Sequence, residues 1–292
     1  MEIDGTHPVK ANISQFLKPE SPPKYFGIDI DGTFYTKSAT GLEKNIEAFA
    51  EATKKGFVPF FCTGRSIESS LAVIGSGFSE RTGYKGYPGV YNNGSLVYDE
   101  CGRIAHSEGF TREFLEKFGR FLIEKGLAPN VVFYTEHGAC SLSPLYERLM
   151  KFSVMRKLPI PQVVTLEGLL QENILIIKYA EFDMKLSGLH EDVDYARTIT
   201  LSNWLYTINP AGVNKSIGLK KLMEHYGLSS KDCGFIGDGD NDTEAMEFCD
   251  HSFCVDDTPD YVKRHAKWVL DKGHDEGAVS QALELIYGPF SQ

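Results

Sequence analysis

The chain is poor in the residues that would mark a secreted, membrane-embedded or nucleic-acid-binding protein. Its 292 residues include six cysteines, and Cys62, Cys101, Cys140, Cys233, Cys249 and Cys254 form neither a Cys-x-x-Cys pair nor the Cys/His spacing of a zinc site. They read as reduced thiols, with Cys62 and Cys233 buried beside apolar runs. No stretch approaches the ~18 consecutive apolar residues of a membrane span. The first 23 residues carry early acidic side chains and lack the apolar run of a signal peptide. Positive charge is also in deficit: 30 Lys and Arg against 40 Asp and Glu leave a net charge of −10. Non-specific attraction to nucleic acid or anionic lipid needs the opposite balance. The expectation is a soluble, cytoplasmic protein with a small-molecule partner. No heptad or repeat points to assembly, so a monomer is the default.

What is present is core-forming mass. Hydrophobic residues make up 42% and charged residues 24% of the chain, the composition of a globular protein, and the length suits two domains better than one. Pro22-Pro23 closes a leader at residues 1–23. The short apolar run Tyr25 to Ile28 then stops at Asp29-Ile30-Asp31-Gly32-Thr33 and reads as a buried strand ending in a polar loop. A helical pattern from Leu42 to Ala52 ends before Gly56. A second buried strand, Phe57 to Cys62, runs into Thr63-Gly64-Arg65. Strand, helix and strand in this order imply a right-handed parallel crossover.

The same grammar returns far downstream. A helix from Ser216 to Tyr226 precedes a strand at Cys233 to Ile236, which opens into Gly237-Asp238-Gly239-Asp240-Asn241-Asp242. A helix to Phe248, a strand at Ser252 to Val255 and a helix from Ala278 to Tyr287 follow. Residues 24–94 and 207–292 are therefore expected to form one α/β domain with a parallel, Rossmann-like sheet. Residues 95–206, entered through an Asn93-Gly94 hairpin signal, alternate helical stretches near 111–125 and 143–155 with strands at Val131 to Tyr134, Ile174 to Tyr179 and Trp204 to Ile208. That pattern suits an inserted α+β domain.

Two acidic clusters just past buried strands carry the chemistry. Within an extended chain, carboxylates at i and i+2 cannot face the same way, but a loop can aim one at a metal and the other at a leaving group. One carboxylate can accept a phosphoryl group and its neighbour can protonate the departing alkoxide; a solvated acidic turn is the bland alternative. In the second cluster Asp238 is a candidate ligand for a hard cation such as Mg²⁺, with Asp242 orienting it or Lys215. A calcium loop at Asp238 to Asp242 fails, because Thr243 stands where glycine is required and Cys249 where glutamate is required. Thr63-Gly64-Arg65 offers a hydroxyl and backbone N–H groups to phosphate, although Thr63 could equally cap a helix starting near Arg65. Lys215 begins a helix, where the dipole disfavours a cation; that suits a lysine that neutralises phosphate, although a solvated surface lysine is the commoner fate.

Taken together, DIDGT at 29–33, CTGR at 62–65, Lys215 and GDGDND at 237–242 resemble the four ordered motifs of the haloacid dehalogenase (HAD) superfamily of phosphatases. The insert, preceded by YNNG and followed by INPAGVNKSIGL, looks like the α/β (type C2B) cap of the Cof-like branch, which includes many sugar-phosphate phosphatases. The resemblance implies Asp29 as nucleophile, Asp31 as acid/base, and Thr63 and Lys215 as holders of the transferring phosphoryl group. It implies Mg²⁺ bound by Asp29, the backbone carbonyl of Asp31, and Asp238. Gly64 and Asn241 match positions that touch phosphate, Asp242 matches one that supports metal and lysine, and Thr33 fits the first motif. Specificity would reside in the cap, where Glu136, His137 and Arg148 are candidates to face substrate, a surface or structural role being the commoner use of such residues. The expected activity is Mg-dependent hydrolysis of small phosphate monoesters, sugar phosphates among them, through an aspartyl-phosphate. A sugar phosphomutase and a non-catalytic phosphate-binding module are the alternatives.

Overall fold

Runs of apolar residues that stop at glycine or at an acidic cluster become the strands of the computed structural model, which describes residues 13–156, 158–201 and 204–290. In chain order these are β1 (Tyr25–Ile28), β2 (Val58–Cys62), β3 (Gly89–Tyr91), β4 (Leu96–Tyr98), β5 (Ile104–Ser107), β6 (Val131–Tyr134), β7 (Ala139–Ser141), β8 (Gln162–Val163), β9 (Ile176–Ala180), β10 (Tyr195–Leu201), β11 (Leu205–Pro210), β12 (Cys233–Gly237), β13 (His251–Cys254) and β14 (Trp268–Val269). The chain divides into two compact units. One is drawn from Met1–Phe61, Gly77–Tyr84 and Gly227–Gln292, the other from Cys62–Ser76 and Lys85–Tyr226. The joints expected at 94/95 and 206/207 do not coincide with this division. The reason is packing: the helix Lys215–His225 lies against β3, β4 and β5 and so groups with the insert.

In the first unit the strands run parallel in the order β14-β13-β12-β1-β2. Every residue of β1 and of β12 is buried, as in a sheet covered on both faces. The helix Ala39–Lys54 starts at Ser38, whose hydroxyl accepts from Gly41 N at 3.2 Å, a conventional N-cap. Its Phe49 joins Phe34, Phe61, Phe78 and Tyr84 in a buried cluster with ring centroids 5.1–6.1 Å apart. Phe34 directly follows Thr33, so this cluster anchors the loop after β1. Asn45 adds a polar tie: buried, it donates to Phe34 O at 3.0 Å and accepts from Ser280 N at 3.0 Å. Residues 1–12 of the expected leader lie outside the described residues. Phe16, in the leader, packs edge-on against Trp268 and tilted against Phe253 of this unit.

The second unit contains the antiparallel strands β3-β4-β5 and a six-stranded sheet in the order β10-β11-β9-β6-β7-β8. The expected hairpin forms: Tyr91 pairs with Leu96, and Asn92 and Asn93 make the turn at φ of 50° and 55°, left-handed values that asparagine tolerates better than most residues. One face of the six-stranded sheet packs on the helix Arg112–Glu124 through Phe114, Phe118 and Leu122 against Phe133, Ile177 and Ile208. The opposite face packs on the helix Glu147–Met155 through Leu149 and Phe152 against Val132, Ile176 and Leu205. Among the described residues no helix is long and apolar enough to cross a membrane. None of the six cysteines, all among the described residues, is in a disulfide, and Cys62 and Cys233 are fully buried.

Candidate active site

Parallel pairing of β1 with β12 brings both acidic clusters to the same end of the first unit's sheet. Asp29 is the residue after β1, and its N–H donates to Ile236 O at 3.0 Å, extending the β1–β12 ladder by one step. The chain then turns sharply: Phe34 N returns to Asp29 O at 3.1 Å and Tyr35 N to Ile30 O at 2.8 Å. The turn points the Asp31 side chain outward, where it is exposed, while Asp29 is 5% exposed. Across from them, Thr33 Oγ1 donates to Asp238 Oδ1 at 2.7 Å. Asp242 is fully buried, and its Oδ2 accepts from the N–H groups of Asp238 and Gly239 at 3.1 and 3.0 Å. The carboxylates of Asp29, Asp238 and Asp242 consequently offer oxygens that all lie within 4.8 Å of one another. Asn241 is half-buried in the same short turn, Asp240–Asp242.

Three carboxylates at this spacing repel one another, by about 3 kcal/mol per charged pair at an effective dielectric near 20. A bound cation would relieve that repulsion. An all-oxygen donor set fits a hard divalent ion such as Mg²⁺ rather than a thiophilic one. The backbone has been shaped to the cluster at Gly32. Its φ is +82°, and a Cβ there would stand 2.3 Å from Asp238 Oδ2. Gly32→Ala combines left-handed strain of about 1–2 kcal/mol with displacement of the Asp238 carboxylate. The expected result is a melting temperature several degrees lower and a weaker thermal response to added Mg²⁺, both read by melting curves with and without the ion.

Thr63, Gly64 and Lys215 belong to the second unit. Thr63 is buried at the end of β2, and its hydroxyl accepts from Arg65 N at 3.2 Å. The reading of Thr63 as a helix cap is corrected here. The helix starts at Ile67, and Ser66 caps it by accepting from Ser69 N at 3.3 Å, so the Thr63 hydroxyl shapes the loop instead. Gly64 leaves room for a neighbour: Asn93 Oδ1 stands 2.8 Å from where a Cβ would be. Asn93 N donates to Thr63 O at 3.1 Å, and Asn93 Nδ2 donates to Asn209 Oδ1 at 3.1 Å. Lys215 opens the helix Lys215–His225, fully buried, beside its N-cap Asn214, which accepts from Ile217 N at 2.9 Å. The Asn92–Gly94 turn packs on that helix, so one asparagine turn braces both the Thr63 loop and the Lys215 helix. Asn93 and Asn209 were not singled out as functional positions in the sequence; the signal available was the Asn-Asn-Gly turn itself.

The three cap candidates have different fates. Glu136 Oε1 accepts from Ser107 Oγ, and from Asn173 Nδ2 at 3.0 Å. The His137 side chain is 87% exposed. Arg148 pairs with Glu181 at 3.0 Å, and its guanidinium lies 4.1 Å over the Trp204 ring.

A parallel sheet whose strand ends converge on a carboxylate cluster fit for a hard cation defines a Rossmann-like α/β enzyme class with its chemistry at the C-terminal edge of the strands. A family model described as haloacid dehalogenase-like hydrolase matches residues 26–283. A HAD/COF-like hydrolase from Plasmodium vivax superposes with a TM-score of 0.77 at 26% identity, covering 91% of this chain and 96% of the other. Two Bacillus subtilis (strain 168) proteins, the 5-amino-6-(5-phospho-D-ribitylamino)uracil phosphatases YwtE and YitU, are 24% and 29% identical. They align over 92% and 88% of this chain and 100% and 96% of their own lengths. The chain belongs to the haloacid dehalogenase-like hydrolases and is a Cof-like phosphatase. A non-catalytic module is thereby set aside.

Proposed function

We propose that the protein is a Mg²⁺-dependent phosphatase of the cytoplasm that hydrolyses small phosphate monoesters, sugar and polyol phosphates first among them, through an aspartyl-phosphate on Asp29. The observation that carries this reading is the convergence of the Asp29, Asp238 and Asp242 oxygens within 4.8 Å. Residues 24–94 and 207–292 would act as the catalytic core and residues 95–206 as the cap. The two Bacillus subtilis relatives, named for a phosphoribityl substrate, support the substrate class.

In the first half-reaction an Asp29 oxygen attacks phosphorus as the ester P–O bond breaks, and Asp31 gives its proton to the leaving alkoxide. In the second, Asp31 takes a proton from water, whose oxygen attacks phosphorus and releases inorganic phosphate and the Asp29 carboxylate. Asp29, Asp238 and the Asp31 carbonyl would hold Mg²⁺, which when bound supplies positive charge to the phosphoryl oxygens. Asp242 keeps the turn around Asp238 in place through its two N–H partners. Thr63, Gly64 and Asn241 would contact the phosphoryl group, and Lys215 would neutralise it.

The test is phosphate release from a panel of sugar phosphates and nitrophenyl phosphate, with Mg²⁺ and with excess chelator. Release is expected with the metal and to fall at least about a hundredfold without it. Isomerised sugar phosphate in place of free phosphate would move the assignment to a phosphomutase.

A further inference from the structure

Strand alternation puts residues 176, 178 and 180 of β9 and 205, 207 and 209 of β11 on one face of the six-stranded sheet. That face is apolar at Val132, Tyr134, Ile176, Ala180 and Leu205. It is polar at Lys178, Thr207 and Asn209. Lys178 and Thr207 are direct cross-strand partners, and Lys178 Nζ donates to Thr207 Oγ1 at 3.0 Å. Lys178 also pairs in register with Val132 on its other side, so it sits inside the sheet and not at an edge. It is half-buried, while Thr207 and Asn209 are 4% and 3% exposed. A lysine at the centre of a sheet, on a face otherwise given to packing, is a costly choice.

Its position relative to the Thr63 loop gives the choice a purpose. Asn209 lies one alternation beyond Thr207, about 7 Å along the strand. Asn209 Nδ2 donates to Asn92 O at 2.9 Å, and Asn209 Oδ1 accepts from Asn93. Asn93 in turn abuts Gly64 and holds Thr63 O. Along one face of one unit, therefore, a bracket for the phosphate-receiving loop is followed by an ammonium and a hydroxyl.

We infer that Lys178 and Thr207 form the subsite for the leaving group of the substrate, and that they select hydroxyl-rich alkyl phosphates over aromatic ones. The inference rests on the phosphatase reading above and adds its specificity element. The ammonium supplies donors, and the hydroxyl supplies one donor and two acceptor positions. A polyol or sugar chain extending from the phosphate can satisfy both. An aryl ring can neither accept from the Lys178 ammonium nor exchange hydrogen bonds with the Thr207 hydroxyl, so it gains nothing from the pair that a hydroxyl chain would gain.

The experiment compares kcat/KM for ribitol phosphate and for nitrophenyl phosphate in the wild type, Lys178→Met, Lys178→Arg and Thr207→Val, with melting curves for each protein. The ratio of the two constants is expected to favour ribitol phosphate in the wild type. It should drop by at least about tenfold in Lys178→Met, chiefly through KM, drop less in Thr207→Val, and recover in part in Lys178→Arg. An equal loss on both esters, or an unaltered ratio in a folded variant, overturns the subsite. Should Lys178→Met fail to fold, Thr207→Val carries the comparison, since it keeps the side-chain shape. A wild type that hydrolyses nitrophenyl phosphate without preference for the polyol ester overturns the subsite alone; release from neither ester brings down the phosphatase reading and the subsite with it.

Discussion

Asp29→Asn is expected to abolish phosphate release, by at least about ten-thousandfold, while leaving the protein folded. The amide has the shape of the carboxylate but lacks the charged oxygen that must form the new bond to phosphorus. The stability side of this variant has a sign of its own. Asp29 is 5% exposed and shares its surroundings with the carboxylates of Asp238 and Asp242. Removing one of three like charges relieves repulsion in metal-free protein. Metal-free Asp29→Asn should therefore melt at or above the wild-type temperature. The rise produced by added Mg²⁺ should be smaller, because a ligand stabilises in proportion to its affinity for the folded state. Phosphate release together with melting curves at several Mg²⁺ concentrations separates the two effects. Full activity in the variant would reject Asp29 as the phosphoryl acceptor, and an unchanged metal response would reject it as a ligand.

How legible this was in the sequence depended on how local the determining physics is. The strand Val131–Tyr134 and the helix Ala278–Tyr287 fall where apolar periodicity places them. The two acidic loops follow buried strands as expected, because a four- or five-residue apolar run ending in Asp has few other solutions in a parallel sheet. The short pairings were not legible. Gln162–Val163 is exposed at both residues, and Ile104–Ser107 has an exposed first residue and three half-buried ones; edge strands of this kind carry little alternation, and only a neighbour makes them strands. Thr63 looked like a helix cap because a threonine before a helix usually is one, and Ser66, three residues on, wins by offering the same hydroxyl at the first helical turn. Lys178 was hidden for a different reason. Ile174 to Tyr179 reads as a strand-like run that Lys178 interrupts without a visible purpose, and which side chains share a face with Asn209 depends on the register of β9 with β11, a non-local fact. The motifs thus point to the proposed site of phosphoryl chemistry, whereas the proposed specificity element emerges only once the sheet is paired.

Asp31→Asn should separate the two halves of the proposed chemistry. Asp31 is exposed while Asp29 is buried, although they are two residues apart in one loop. The turn held by Phe34 N to Asp29 O and Tyr35 N to Ile30 O aims their side chains differently, so one can meet phosphorus while the other meets the leaving oxygen or water. A sugar alkoxide is a poor leaving group and needs a proton as it departs; nitrophenolate does not. For a sugar phosphate, loss of the acid should lower kcat by about a hundred- to ten-thousandfold. For nitrophenyl phosphate the first step should survive and the second should slow, because the amide cannot take a proton from water. Rapid mixing of this variant with nitrophenyl phosphate should give a burst of nitrophenol approaching one equivalent of enzyme, then slow turnover, with phosphate bound covalently to the protein and labile to base. A phosphatase in which Asp31 merely shapes the loop would lose both substrates in parallel and show no burst. Equal activity towards sugar phosphate before and after the substitution would remove Asp31 from the mechanism and leave protonation of the alkoxide to water.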